Sequence, residues 1–123
     1  PGQFIVKFTN FWTVELPEGW SMLFTHPVNR FDLPFRSITG LVDCDGWRDG
    51  LVHFPAVWSD PKFEGVLPAG TPVAQGFPVR REALALEIGE MEDPSLAAHV
   101  EVQDALQTEP GIYRKRYRRG VKN

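Results

Sequence analysis

Through the first ninety or so residues, apolar positions fall in short runs separated by Pro, Gly and charged turns. Residues 3–9 join β-branched and aromatic side chains with no breaker, which predicts a strand. Residues 11–16 predict a second, stopped by Pro17 and Gly19, and residues 20–25 a third, stopped by His26 and Pro27. Residues 29–37, broken by Pro34, read as irregular. A short strand over 38–42 leads into an acidic turn, 43–50. Residues 51–58 are apolar at nearly every position except His53, and Pro55 predicts an edge or bulged strand. A turn at 59–62, a strand at 63–67, a turn at 68–70 and a last strand at 71–79 follow, with Pro72 and Pro78 near its ends. Residues 84–88 could extend the sheet. Turns this frequent and regular are those of a small sandwich or barrel.

The pattern changes near residue 90. Asp93 can cap a helix whose first position is Pro94, because proline has no N–H to leave unpaired there. Residues 95–107 place Leu96, Val100 and Leu106 on roughly one side, and Glu109, Pro110 and Gly111 stop the helix. The expected organisation is a β domain over 1–91, a helix over 92–109 and a basic tail over 110–123.

Composition agrees with one small folded domain. The chain has 123 residues, 42% hydrophobic and 12% aromatic, too many apolar groups for a disordered chain. Its 11 Gly and 11 Pro favour strands and turns over long helices. One cysteine, Cys44, allows no intrachain disulfide and gives no sign of an oxidising compartment. No apolar run is long enough to cross a bilayer, so no membrane partner is expected and the expected location is the cytoplasm. Pro1 opens the chain where a Met would be expected, as in a processed protein.

Charge is segregated. All 16 acidic residues lie at or before Glu109, whereas six of the 13 basic ones (Arg114, Lys115, Arg116, Arg118, Arg119, Lys122) follow it. An acidic body argues against general nucleic-acid binding by the domain itself. The tail has three open readings: phosphate contacts through Arg114, Arg116, Arg118 and Arg119 with Tyr113 and Tyr117 stacking on bases; contact with a neighbouring subunit's acidic face; or a disordered end.

The acidic turn carries the densest candidate chemistry. Asp43, Asp45 and Asp49 could activate water or share a Mg²⁺ ion, or could be a solvated turn capping its own backbone. His26, His53 and His99 match no compact metal-ligand spacing, and no metal site is expected from them. Cys44 stands between two carboxylates, whose charge disfavours a thiolate. Trp12, Trp20 and Trp58 read as core or sheet-face residues, and Trp47 stands apart because its turn is polar.

Gly40-Leu-Val-Asp43, with Asp45, Trp47 and Gly50 after it, resembles the third motif of the trimeric dUTPase and dCTP deaminase superfamily, and Gly46-Trp47 is closer to the deaminase branch. Pro68, Gly70 and Val73-Ala-Gln75 resemble its fourth motif, and Arg36-Ser37 its phosphate-contacting step. The first motif and the Gly-rich closing motif have no counterpart here. The resemblance implies a β-clip or jelly-roll-like fold, a homotrimer and a nucleoside phosphate as ligand, with Mg²⁺ if the protein hydrolyses nucleotides. It implies Asp43 and Asp45 as catalytic carboxylates, and Arg36, Ser37, Trp47 and Gln75 as substrate contacts. The opening segment, with Lys7, Trp12, Trp20 and Arg30, also resembles a group of small bacterial and phage proteins, a similarity that carries no chemistry. The sequence therefore predicts a mainly β fold, a small sandwich with one C-terminal helix. Its function is either nucleotide handling or a non-enzymatic binding or assembly module on the same fold.

Overall fold

The computed structural model describes residues 3–120, and Lys122 of the tail lies outside them. The protein is mainly β, and its described residues form six strands in two three-stranded antiparallel sheets and one C-terminal α-helix. The strands are β1 (Phe4–Phe8), β2 (Trp20–Thr25), β3 (Phe35–Ser37), β4 (Gly40–Val42), β5 (Phe54–Trp58) and β6 (Gln75–Arg80). One sheet has the order β1-β5-β3 and the other β4-β2-β6. The chain divides into two compact units, Pro1–Leu86 and Glu87–Asn123.

Side-chain alternation decides which face of each sheet turns inward. Phe8 meets Phe35 at 4.8 Å between ring centroids, and Phe24 of β2 meets Phe54 of β5 edge-on at 5.1 Å. The inner face of the first sheet thus carries Phe8, Phe35, Phe54, Ala56 and Trp58, and that of the second carries Met22, Phe24 and Val42. Among the described residues of this unit the buried apolar set is small: Phe35, Cys44, Val52 and Ala56.

Four expectations fail for identifiable reasons. Residues 11–16 form no strand: Asn10 turns the chain by accepting a bond from the Trp12 N–H at 2.8 Å, and Trp12 is 78% exposed rather than in the core. Residues 63–67 are interrupted by Gly65 at φ 116°, outside the extended region. Residues 84–88 do not join a sheet, since 81–84 close into a 3-10 turn and the segment after it is unpaired. Residues 35–37, within the stretch read as irregular, form β3.

Pro55 does not put its strand at an edge, because β5 is central in its sheet. The register explains the tolerance. β3 pairs with β5 only at residues 56–58, so Pro55 lies past the end of that ladder, where its carbonyl accepts the Ile38 N–H at 2.8 Å and no partner requires an N–H from it. Pro78 is tolerated because β6 is an edge strand.

In the second unit, α1 spans Asp93–Thr108. Its cap is Glu92 rather than Asp93, with the Glu92 carbonyl accepting the Leu96 N–H at 2.9 Å. Gly111 at φ 74° reverses the chain, and residues 113–117 form one π-helical turn closed by the Arg118 N–H on the Tyr113 carbonyl at 2.8 Å. No residue of α1 is buried, whereas Ile112 is.

Candidate functional site

β2 positions the candidate residues of the first unit at its two ends. Near its start, Ser21 pairs with Val79 of β6, and Met22 pairs with Val42, the residue before Asp43. At its far end, Thr25 pairs with Gln75. Four residues of strand separate Ser21 from Thr25, roughly 13 Å. Asp43 and Asp45 therefore belong to one end of the strand, and Gln75 and Ser37 to the other.

At the first end the two carboxylates have separate surroundings. Arg81, just beyond β6, donates Nη1 to Asp45 Oδ1 at 2.9 Å and a second, closer bond from Nη2 to Oδ2. The Gly19 N–H adds a bond to Asp45 Oδ2 at 2.9 Å. This bidentate pair and the backbone bond to Gly19 hold the Asp45 carboxyl well below the usual carboxylate range. Asp43 accepts one bond, 2.6 Å from the Ser21 hydroxyl, and its side chain is 66% exposed against 15% for Asp45. The Arg81 Nη1 also donates to the Trp20 carbonyl and the Ser21 hydroxyl, each at 3.0 Å, so one guanidinium ties β2 to the acidic turn.

This arrangement does not fit a shared Mg²⁺ ion. Arg81 contacts both carboxylates, at 3.7 Å from Asp43, and uses both oxygens of Asp45. Among the described residues no group of three His, Cys, Asp or Glu side chains is placed to hold a metal. The turn caps itself as well: the Asp43 carbonyl accepts the Gly46 and Trp47 N–H groups at 3.0 and 2.9 Å. Cys44 between them is fully buried, and burial pushes its thiol up, with the Asp43 and Asp45 charges adding to the effect. Trp47 is exposed, folds over Gly50, and donates Nε1 to the Leu51 carbonyl at 3.4 Å. An open cleft of about 580 Å³ beside Asp45 is lined by Glu15, Glu18 and Arg48, with Arg48 paired to Glu15 at 3.0 Å. Its acidic lining disfavours a phosphate there.

At the second end, Ser37 points inward and is nearly buried. Its hydroxyl donates to the Val73 carbonyl, which joins β3 to the segment before β6. Its N–H donates to His26 Nδ1 at 3.0 Å, so His26 carries its proton on Nε2 and gives it to the Arg30 carbonyl at 2.8 Å. Gln75 accepts the Val28 N–H at 3.0 Å, leaving its amide NH₂ as a free donor group among the described residues. Arg36 alternates to the outer face, opposite Val57, with no carboxylate within ion-pair distance among the described residues. A small cleft of about 200 Å³ is lined by His26, Arg30, Phe31, Arg36 and Ser37.

Arg114, Arg116, Arg118 and Arg119 belong to the second unit and are exposed; Arg116 pairs with Glu109 at 3.3 Å. Sequence reasoning missed Arg81, Ser21 and His26, the side chains that do most of the bonding. Their only signal is position: Arg81 is 36 residues from its carboxylate partner, and nothing local connects the two.

The outer face of the β4-β2-β6 sheet adds a feature that the motifs do not contain. Leu41 pairs with Leu23 and Leu23 with Phe77, so three large apolar side chains cross the sheet in one row. Leu41 is 47% exposed and Phe77 38%. Asp43 and Gln75 flank this row at opposite ends of the same face.

No protein-family model, curated protein or solved structure matches the chain. Among the described residues no helix is long and apolar enough to cross a membrane.

Proposed function

We propose that the protein is a non-enzymatic binding or assembly module, and that a second copy of the chain covers the outer face of its β4-β2-β6 sheet. The observation that carries this reading is the cross-strand row Leu41–Leu23–Phe77, an apolar strip on a unit whose own core is very small. Covering this strip with a second copy would remove Leu41 and Phe77 from water and add to the few buried apolar side chains of the unit. Asp45 with Arg81 then acts as a structural clamp. The test is the mass in solution of the double variant Leu41→Lys/Phe77→Lys. It should self-associate at least about tenfold more weakly than the unmodified chain, since each buried apolar side chain contributes one to three kcal/mol. An unchanged mass would refute this contact.

A second reading is a dUTPase-like nucleotide site formed between copies. It is supported by the unpaired Arg36 at the small cleft and by Asp43 and Gln75, whose spare polar atoms share one face with the apolar row. Apposing two such faces could bring the ends of different copies together. This reading predicts a rise in melting temperature with one nucleoside triphosphate that is lost in Arg36→Ala; no rise with any of them removes it.

A further inference from the structure

One histidine ties the two sheets of the first unit together at one end. β3 is an edge strand, with β5 on one side only. The Ser37 N–H finds its partner outside the ladder, in the half-buried ring of His26, the residue that follows β2 in the other sheet. It donates to His26 Nδ1 at 3.0 Å. Ser37 is nearly buried, so this amide has little water to turn to. The Nε2 of the same ring bonds the Arg30 carbonyl at 2.8 Å. The ring therefore joins β3 to the turn at 27–30, which is closed by the Arg30 N–H on the Pro27 carbonyl at 3.1 Å. Two further bonds complete the join: the Ser37 hydroxyl donates to the Val73 carbonyl, and the Val28 N–H to Gln75.

The chemistry of the ring sets a condition on this join. A neutral imidazole offers one acceptor and one donor, whereas an imidazolium offers two donors and no acceptor. Only the neutral ring with its proton on Nε2 serves both partners. A second proton, on Nδ1, sets two donors face to face and leaves the Ser37 amide unpaired. The bond to the Arg30 carbonyl survives, so the ring stays with the turn and β3 loses its hold. The charges around the ring act in the same direction. Arg30 and Arg36 line the cleft that His26 lines, and Arg30 holds the Asp32 carboxylate through Nε and Nη2 at 2.9 and 3.0 Å. Arg36 is then the uncompensated charge facing a cationic ring. Phe35 packs edge-on against the imidazole, and neither β5 nor residues 73–75 bring a titratable side chain.

We propose that His26 is an acid-sensitive clasp between the two sheets. With the ring neutral, it closes the end of the sandwich at Ser37 and Gln75. With the ring doubly protonated, it releases β3 there and loosens the cleft of about 200 Å³ lined by His26, Arg36 and Ser37. The clasp lies wholly within the first unit and is independent of the sheet contact proposed above. A histidine in an unfolded chain takes its second proton near pH 6.5, so the window is about pH 7.5 to 5.5. The sign follows from which state accepts that proton. The folded unit holds the neutral ring and the unfolded chain accepts the proton freely, so stability is complete above the window and is lost on acidification through it.

The experiment compares the full unmodified chain with His26→Asn, whose Oδ1 can still accept the Ser37 N–H but does not titrate. All four tryptophans lie in the first unit, so tryptophan fluorescence follows its denaturation by urea. From pH 7.5 to 5.5 the unfolding constant should rise severalfold more in the unmodified chain than in His26→Asn, with roughly tenfold as the limit for one proton. His53→Gln and His99→Gln should keep the full dependence of the unmodified chain. A second measurement needs no variant. Hydrogen exchange of the Ser37 amide in the unmodified chain, corrected for the intrinsic effect of pH, should accelerate about tenfold or more at pH 5.5, while the amides of β2 keep their protection. Equal pH dependence in the unmodified chain and His26→Asn, or a Ser37 amide equally protected at both pH values, overturns the proposal.

Discussion

Asp43 and Asp45 are two residues apart in one turn, yet they do different work. Asp45 is partly buried and saturated by Arg81 and Gly19, whereas Asp43 faces water with one bond from Ser21. The sequence shows a cluster of acids, which made both equal candidates for catalysis. It does not show a cation arriving from beyond β6, because that depends on register. The depressed Asp45 carboxyl has a definite consequence with pH. Its folded value lies below its unfolded value, so its stabilising contribution is complete above about pH 4 and is lost as pH falls through the folded value. Asp45→Asn should lower the melting temperature by several degrees at pH 7, and the difference from the unmodified protein should shrink below pH 4; a constant difference at all pH values would mean the pair is not formed. Trp47 offers a second check. A Cβ at Gly50 would lie 2.2 Å from the Trp47 ring, so Gly50→Ala must displace the indole, and its fluorescence should shift toward that of a fully solvated indole. Cys44, buried and held as a thiol, should react with a thiol reagent only after unfolding.

Among the elements, the strands that could be read from the sequence are those whose apolar alternation and end signals agree. β2 is bounded by Gly19 and Pro27 and lies where these end signals place it, and β4 is the last three residues of the strand expected at 38–42. The strands predicted at 11–16 and 63–67 have the right composition but lack partners: a turn at Asn10 removes the first, and the φ of Gly65 removes the second. β3 was hidden because three residues give too little pattern, yet it contributes Phe35, the largest fully buried side chain of the first unit. Phe35 touches Phe8, His26 and Trp58, so it links β1, β5 and the end of β2. Phe35→Ala should cost about 3–5 kcal/mol, enough to unfold a unit with so small a core. Its chemical-denaturation midpoint would show this; a change under 1 kcal/mol would mean that the core lies elsewhere.

For the whole molecule, the sheet arrangement explains why half of the candidate site was legible and half was not. Local motifs found Asp43, Gln75 and Ser37, but only β2 reveals that they occupy its two ends, roughly 13 Å apart. The same strand sets half-buried Leu23 between Leu41 and Phe77, an alignment that appears only once the three strands are in register. An outer apolar row flanked by polar ends is the feature on which the proposed self-association rests. The most direct test is sedimentation equilibrium of the unmodified chain over a hundredfold concentration range. The account predicts a mass that is a whole multiple of 13.9 kDa and falls in Leu41→Lys/Phe77→Lys. A mass of 13.9 kDa at every concentration would contradict it.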